Sequence, residues 1–203
     1  MLKSKCIVYC FIALVMSTSV FSQEHHISKY EKKWTLAHPF AAIKVNRLLK
    51  KAMIVYHNTK ESKQLDAFES GGTLDAFRHS FTMAFLAQHI KTKKLRKLGV
   101  AHEKGNKYFF YKNHQEFGER ADSLACEMDL RNNELGFLIG SKYKKLTIDS
   151  LKLEILSQIK EGNAWILKRN SQNMYVYCNN EAILIDNFKN QWFLPKCLIK
   201  SNE

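Results

Sequence analysis

The chain has 203 residues, and its 32 lysines and arginines outnumber its 19 acidic residues, giving a net charge of +13. This length is enough for a single domain with a sizeable core. A basic excess favours either a solvated surface or an anionic partner. The basic residues are spread along the chain and lack the glycine and aromatic interleaving of single-strand binders, which disfavours nucleic acid. An anionic component of the cell envelope remains the alternative partner.

The N-terminus has the pattern of a secretory leader. Lys3 and Lys5 precede an apolar stretch from Cys6 to Val15, and Val20 and Ser22 are suitable residues for a cleavage site before Gln23. A bilayer span needs roughly 20 apolar residues, and this stretch is much shorter. We therefore predict a signal peptide over 1–22 and an exported domain over 23–203, periplasmic or secreted, with no transmembrane segment once the leader is removed.

The periodicity of apolar residues predicts helices first and strands last. Five helices are predicted from spacings of three and four residues and from capping and glycine signals: from Pro39 through Tyr56, from Leu74 to Ile90 with Thr73 as cap, from Thr92 to about Glu103 closed by Lys104 and Gly105, from Asp122 to Tyr143, and from Thr147 to Lys160. The segment 106–118 lacks a steady period and is predicted as a loop over the site.

The C-terminal part alternates β-branched and aromatic residues with polar ones, which is typical of short strands. The predicted strands are Trp165–Leu167, Met174–Tyr177 and Ala182–Ile185. The expected fold is therefore mainly α, a bundle of about five helices with a small antiparallel β appendage over 163–199. The whole of 23–203 is expected to form one domain.

Three cysteines follow the leader: Cys126, Cys178 and Cys197. In an oxidising compartment Cys178 and Cys197, both in the C-terminal segment, are the plausible pair. Cys126 is then expected to be a buried small hydrophobe on a helix. The chain has no C-x-x-C pair, so a thiolate zinc site or a thioredoxin-type redox role has no support.

Asp75, Arg78 and His79 form the first of three polar groups in the middle of the chain. Their spacing of i, i+3 and i+4 places all three on one face of a helix. An acid beside an imidazole fixes its tautomer or raises its basicity, and an arginine holds an anion through two hydrogen bonds. The alternative interpretation is a buried ion pair that ties two helices together.

The other two groups lie on the next two predicted helices. His102 and Glu103 are neighbours about 100° apart, so they cannot both point in the same direction, and one could line the site while the other reaches the next helix. Asp129, Asn132, Asn133 and Gly136 share one face, and the two asparagines disfavour their own helix, which predicts that they have partners elsewhere. Gly136 allows a backbone or a ligand to approach closely.

Convergence of these groups would suit either of two chemistries. Imidazoles and carboxylates fit zinc or another borderline metal with one position open for water, and His79, His102 and Asp129 are the predicted ligands. The same site would suit metal-free acid–base hydrolysis, with Glu103 or His79 as base and Arg78 binding an anion. The chain has no H-E-x-x-H motif. The identity of any cofactor stays open.

These residues carry a resemblance to a known family. Asp75-Ala76-Phe77-Arg78-His79, then Ala101-His102-Glu103, then the run from Met128 to Gly136 resemble, in order, the DAFRH, AHE and MDLxNNxxG motifs of an uncharacterised bacterial helical domain. That domain of unknown function occurs in exported proteins and at the ends of polymorphic toxin-like proteins. The motif core covers about residues 71–142, and where relatives carry a Trp shortly after the Arg-His pair this chain has Thr82.

The resemblance implies a helical domain with one shared polar site and no settled reaction. Its implied site residues are Arg78, His79, His102, Glu103, Asp129, Asn132 and Asn133. The leader and its junction also resemble those of exported proteins from Bacteroidetes-type bacteria.

Two hypotheses from different classes follow. The first is an exported hydrolase acting on an anionic or envelope-derived substrate, with or without a metal. Its candidate catalytic residues are Arg78, His79, His102, Glu103, Asp129 and Asn133. The second is a non-catalytic exported binding module whose polar cluster is a structural network.

Overall fold

A computed structural model describes residues 27–112 and 119–203. Over these ranges six helices precede a short 3-10 helix, Ile185–Phe188, and a two-stranded antiparallel sheet. The bounds are α1 (Lys29–Ala37), α2 (Pro39–Glu61), α3 (Thr73–Ala87), α4 (Thr92–Phe110), α5 (Ser123–Lys142), α6 (Ile148–Lys160), β1 (Trp165–Leu167) and β2 (Leu198–Lys200).

This architecture confirms the predicted mainly α bundle with a C-terminal β appendage. Every helix in the described ranges is either too short or too polar to cross a lipid bilayer. The predicted leader over 1–22 and the 113–118 part of the predicted loop lie outside the described residues.

Helix α3 lies at the centre of the bundle. Only Thr73, Arg78 and Met83 on this helix are not buried, and α2, α4, α5, α6 and β1 all contact it. Phe77, Phe81 and Phe85 stack along one side, with ring centroids 5.2 and 6.3 Å apart. A helix that is apolar on nearly all sides has to be central. Any polar side chain on it is therefore buried and needs a partner.

Helices α3 and α5 approach each other closely because α5 has glycines at the contact. A Cβ at Gly136 would lie 2.9 Å from the backbone nitrogen of Ala84 and would meet the carbonyl of Ser80. A Cβ at Gly140 would meet the backbone of Ala84. The expectation that Gly136 permits a close approach is confirmed, and the neighbour is the backbone of α3.

The N-terminus of α3 corrects the prediction that Thr73 is its cap. Gly72 occupies the N-cap position without a side-chain cap, and Thr73 is the first helical residue. The carboxylate of Asp66, from the preceding turn, accepts hydrogen bonds from the backbone N–H of Thr73 at 2.6 Å and of Leu74 at 3.3 Å. Asp66 thus satisfies the N–H groups at the start of α3. The residues next to the helix start do not reveal this partner.

Helix α4 also differs from its prediction at both ends. Lys91 is the N-cap, with no side-chain hydrogen bond, and Thr92 is already helical. The helix passes through Gly105 and continues to Phe110 instead of ending near Glu103. A Cβ at Gly105 would lie 2.7 Å from the hydroxyl of Ser28, so this glycine leaves room for the start of α1 and does not terminate a helix.

Helix α1 was not predicted, although its start carries a recognisable signal. Ser28 and Glu31 form a capping box, in which each side chain accepts from the other residue's backbone N–H. Trp34 is the buried residue of this short helix. Its indole N–H donates to the carbonyl of Lys94 in α4 at 2.9 Å.

The β appendage is smaller than predicted. Trp165–Leu167 is confirmed as β1, but it pairs with β2, which was not predicted. Met174–Tyr177 and Ala182–Ile185 form only isolated bridges, Arg169 with Tyr175 and Val176 with Ala182, and Ile185 begins the 3-10 helix. The Cys178–Cys197 pair is joined in a disulfide, and Cys126 is buried and free, both as expected.

A buried ion pair attaches the appendage to α5. Lys196 Nζ lies 2.6 Å from the carboxylate of Asp122, and both side chains are almost fully buried. Asp122 also caps α5 by accepting from the N–H groups of Leu124 and Ala125. The C-terminal segment is thereby fixed beside the helix that carries the third polar group.

Candidate metal centre between the central helices

Two carboxylates and an imidazole converge where α3 meets α5. His79 Nε2 lies 3.4 Å from Asp75 Oδ1 on the same helix and 3.2 Å from Asp129 Oδ1 on α5. All three side chains are buried, and their potential ligand atoms lie within 4.8 Å of one another. Of the residues that the structure describes, these three form the one group of histidine, cysteine and acid side chains spaced closely enough to hold a metal ion.

Asn133 determines how the ring of His79 is presented. His79 Nδ1 lies 3.3 Å from the amide oxygen of Asn133. The amide nitrogen of Asn133 faces α4, where a Cβ at Gly99 would lie 3.0 Å from it. Since a carbonyl oxygen can only accept, Nδ1 carries the proton in this arrangement. The lone pair of Nε2 then faces the two carboxylates.

Burial favours the neutral form of the His79 ring. Desolvation, followed by the positive charges of Arg78 and His102, lowers the pKa of His79 well below its ordinary value, against the opposing effect of the Asn133 hydrogen bond. A neutral imidazole whose lone pair points at carboxylate oxygens is the protonation state that binds metal ions.

Asp75 is held in place by two donors. Its Oδ1 accepts from the guanidinium of Arg78 at 2.6 Å, and its Oδ2 accepts from the backbone N–H of Gly71 at 2.7 Å. Gly71 has φ of +78°, a conformation that glycine adopts without strain. Arg78 is 15% exposed, so its guanidinium lies between the buried acid and the surface. Arg78 is therefore the partner that compensates the buried charge of Asp75.

Glu103 and Cys126 extend the site along α4 and α5. Glu103 is buried and accepts from the amide of Asn106 at 2.9 Å. Burial, then the charge of Glu103 and its hydrogen bond, and then the charge of Asp129, raise the pKa of the Cys126 thiol. Cys126 therefore stays a thiol that donates to Glu103 and is not a thiolate ligand. Glu103 and Asp129 both act on Cys126, so they belong to one polar region.

Two predicted site residues serve neighbouring elements. His102 Nδ1 lies 3.1 Å from Glu31 Oε1 on α1. Burial opposes ionisation of Glu31, but the hydrogen bond and charge of His102 lower the pKa of that carboxyl overall. Asn132 bonds both backbone groups of Trp165, each at 2.9 Å, and so fixes β1 against α5.

The structure therefore brings together part of the predicted metal set. His79 and Asp129 meet, and the third residue of the group is Asp75, while His102 contacts Glu31 on α1. Asp75 was recognised as a neighbour of His79 but was not assigned as a ligand. Its spacing of four residues from His79 was the signal that would have found it.

The fold and site together define a class: a mainly helical protein with a buried Asp–His–Asp group between its central helices. The chain belongs to the family described as a domain of unknown function, DUF6973, whose model matches residues 32–163. This span includes every candidate site residue and confirms the expected membership of an uncharacterised domain family. Neither the curated proteins nor the solved structures include a match to this chain.

Proposed function

We propose that Asp75, His79 and Asp129 hold a divalent metal ion and that the protein is an exported, metal-assisted hydrolase. The observation that carries the proposal is the convergence of His79 Nε2 on two carboxylate oxygens at 3.2 and 3.4 Å. A tetrahedral ion with bonds of about 2.0–2.2 Å separates its ligand atoms by roughly 3.3–3.6 Å, close to these distances. One imidazole and two carboxylates suit zinc, manganese or iron.

The set of ligands favours catalysis over a purely structural metal site. Three protein ligands leave one position for water, whereas structural zinc sites use four protein ligands. The ion would supply a more acidic bound water. Glu103 is the carboxylate available as base, and Arg78 is the cation available to hold an anionic group of a substrate.

Export belongs to the same proposal and rests on different observations. The predicted leader over 1–22 and the Cys178–Cys197 disulfide both fit an oxidising compartment outside the cytoplasm. N-terminal sequencing of the protein recovered from periplasm and medium tests this part. A chain that begins near Gln23 is the expected result, and one that is retained in the cytoplasm with Met1 would contradict export.

Elemental analysis of the purified protein, prepared without chelator, tests the metal site. We expect one zinc, manganese or iron ion per chain in the wild type and none in His79→Ala or Asp129→Asn. His102→Ala is the matched control, since His102 contacts Glu31, and it should keep its ion. A wild type that stays metal-free after dialysis against each ion, or a His79→Ala protein that binds as much metal as the wild type, would refute the site.

Hydrolysis is tested separately on panels of phosphoester, ester and peptide substrates that carry a negative charge. Turnover should be lost in His79→Ala and strongly reduced in Glu103→Gln while both variants keep the helical content of the wild type. Loss of activity on adding chelator, with recovery on adding back the ion, would link turnover to the metal. Metal binding without hydrolysis of any substrate class would leave a metal site and refute the hydrolase.

A second function is favoured by a specific observation. The same separations of 3.2 and 3.4 Å also fit an imidazolium paired with two carboxylates, and Asp75 is already bonded to Arg78 and Gly71. In that case the group is a structural network of a non-catalytic binding module. The two functions require opposite protonation states of His79, and the pH dependence of stability distinguishes them.

A further inference from the structure

A second polar region lies at the other end of α3, where the helix ends. A cleft of about 670 Å³ opens there between α2, the end of α3 and the connection from α5 to α6. Five basic residues line it: Lys44, Arg47, Lys51, Lys144 and Lys145. Among the described residues that line this basic cleft, none is acidic.

The end of α3 accounts for two of these cations. The ammonium of Lys44 donates to the carbonyl of His89 at 3.0 Å, and that of Lys144 donates to the carbonyl of Ala87. Cations at a helix C-terminus satisfy its last carbonyls and its dipole. Lys44 and Lys144 thus have a structural role that requires no ligand.

The other three cations have no such role. Arg47, Lys51 and Lys145 are exposed, and none of them forms an ion pair with an acid in the parts of the chain that the structure describes. Arg47 and Lys51 lie one turn apart on α2 and therefore on the same face. Their charges are directed at the basic cleft without a counter-charge from the protein.

The wall that carries Lys145 is fixed in position. The side-chain amide of Gln88, just past the end of α3, donates to the carbonyls of Tyr143 at 2.8 Å and Leu146 at 3.1 Å. The connection from α5 to α6 is therefore held against α3 before any ligand arrives. A preformed arrangement of cations avoids part of the ordering cost of binding.

The combined field of the cleft acts on His89 at its rim. Partial burial, then the charges of Lys44, Arg47, Lys144 and Lys51, lower the pKa of His89. Four cations of the cleft thus act on the His89 imidazole, and their charge disfavours its protonation. Such a concentration of one sign attracts small ions of the other.

We propose that the basic cleft binds a phosphate-bearing anion, with Arg47, Lys51 and Lys145 as its charged contacts. A guanidinium matches two phosphate oxygens at once, and ammonium groups act as point charges on the others. The volume is in the range of small-ligand pockets. This site is independent of the metal centre, because it shares no residue with it.

Isothermal titration with tripolyphosphate as the probe, at about 50 mM salt where screening is modest, tests the proposal. The test variant is Arg47→Ala/Lys51→Ala/Lys145→Ala. The matched control is Lys93→Ala/Lys97→Ala/Lys104→Ala, which removes three exposed cations from α4. We expect saturable binding at one site, weakened about tenfold or more in the cleft variant and unchanged in the control.

A vesicle experiment identifies the source of the phosphate. Sedimentation with vesicles containing phosphatidylglycerol, compared with pure phosphatidylcholine, is measured for the same three proteins. Capture by the anionic vesicles that the cleft variant loses assigns the phosphate to a lipid headgroup. Tripolyphosphate binding without vesicle capture assigns it to a soluble compound. Equal loss in both variants, no saturable binding of tripolyphosphate by the wild type, or binding that survives in the cleft variant would overturn the proposal.

Discussion

The two ends of α3 carry opposite charge in opposite surroundings. Near its N-terminus Asp75 and His79 meet Asp129 in a buried group. At its C-terminal end, Lys144 donates to the carbonyl of Ala87 and Lys44 to that of His89, just past the helix, at the edge of an open cleft. At about 1.5 Å per residue, Asp75 and Ala87 are roughly 18 Å apart. Acids at the start and bases at the end both agree with the helix dipole.

The difference between the two ends comes from burial. Charges removed from water interact strongly and need partners at contact distance, which is why Asp75 has Arg78 and Gly71 as donors. Charges in solvent repel one another only weakly, so several cations accumulate around the basic cleft without an acid. A cation bound at the buried end would therefore be held by fixed ligands, whereas an anion bound at the open end would exchange readily with solvent.

The largest effect is expected from disturbing the helix contact that both ends share. Gly136→Ala would place a methyl group 2.9 Å from the backbone nitrogen of Ala84 and against the carbonyl of Ser80. Backbone atoms cannot rotate away, so we expect the free energy of unfolding to fall by about 3 kcal/mol or more. Denaturant unfolding of the variant measures this, with Ser141→Ala, an exposed position on α5, as control. A loss of less than about 1 kcal/mol would show that α3 and α5 can separate locally.

The second-largest effect is expected from metal binding to the buried group of Asp75, His79 and Asp129. Metal at 100 times its dissociation constant should stabilise the wild type by about 2.7 kcal/mol, and Asp129→Asn should abolish this gain because one ligand charge is lost. Thermal unfolding with and without zinc or manganese measures both proteins. His102→Ala should retain the full gain, since His102 contacts Glu31. An equal gain in all three proteins would place the ion elsewhere.

The pH dependence of stability distinguishes a neutral His79 from a paired imidazolium. Because burial lowers the pKa of His79 in the folded protein, the unfolded chain binds the extra proton between the lowered value and the ordinary one near 6.5. Stability is then complete above about pH 6.5 and falls as the pH drops below it, by up to about 1.4 kcal/mol per unit. An imidazolium paired with carboxylates gives the opposite sign, with stability lost as the pH rises.

The measurement compares metal-free wild type with His79→Gln between about pH 7.5 and 5, above the range in which carboxylates titrate. The difference between the two proteins removes the contribution of His89, which is present in both, and reports on His79 together with the two carboxylates that it contacts. His57→Gln, at an exposed histidine, should follow the wild-type curve. A wild type that gains stability relative to His79→Gln as the pH falls would favour the structural network.

The buried end shows how far sequence patterns determine a site. The spacing of Asp75, Arg78 and His79 correctly placed them together because helix geometry is local. The direction of His102 depends on α1, which contacts it through Glu31 and whose capping box at Ser28 and Glu31 is visible in the sequence. Partners on the same helix followed from spacing alone, whereas of the contacts between helices the meeting of His79 with Asp129 was expected and that of His102 with Glu31 was not.

The neighbouring asparagines of α5, Asn132 and Asn133, also show which contacts the sequence could indicate. Asn132 and Asn133 were placed on one face, yet they lie about 100° apart. Asn132 bonds Trp165 in β1, and Asn133 meets His79 on α3. The pattern correctly indicated that both need partners. Which partner each has depends on the packing of α3 and of β1, which are distant in sequence.

The elements of the fold that depend on local sequence patterns were predictable, as were the contacts within one helix. Helices with a long apolar period were found, whereas β2 was missed because its partner β1 lies more than 30 residues earlier. The basic cleft was also missed, although its lysines were visible as a general excess of charge. Residues from α2 and from the connection before α6 come together there only because both pack on α3.

The smallest effect is expected at the basic cleft. It tests whether the cations of this cleft lack compensating acidic residues. Arg47, Lys51 and Lys145 repel one another and their neighbours in the absence of a ligand, so Arg47→Ala/Lys51→Ala/Lys145→Ala should raise the melting temperature by about 2 °C at low salt. The gain should disappear at about 1 M salt, where charges are screened within roughly 3 Å. The α4 variant Lys93→Ala/Lys97→Ala/Lys104→Ala removes the same charge from a convex surface and should gain less. Should the cleft variant instead melt lower at low salt, its three cations would be stabilising contacts of the fold. The contrast between a buried end that holds both signs of charge and an open end whose cations lack acidic partners would then fail.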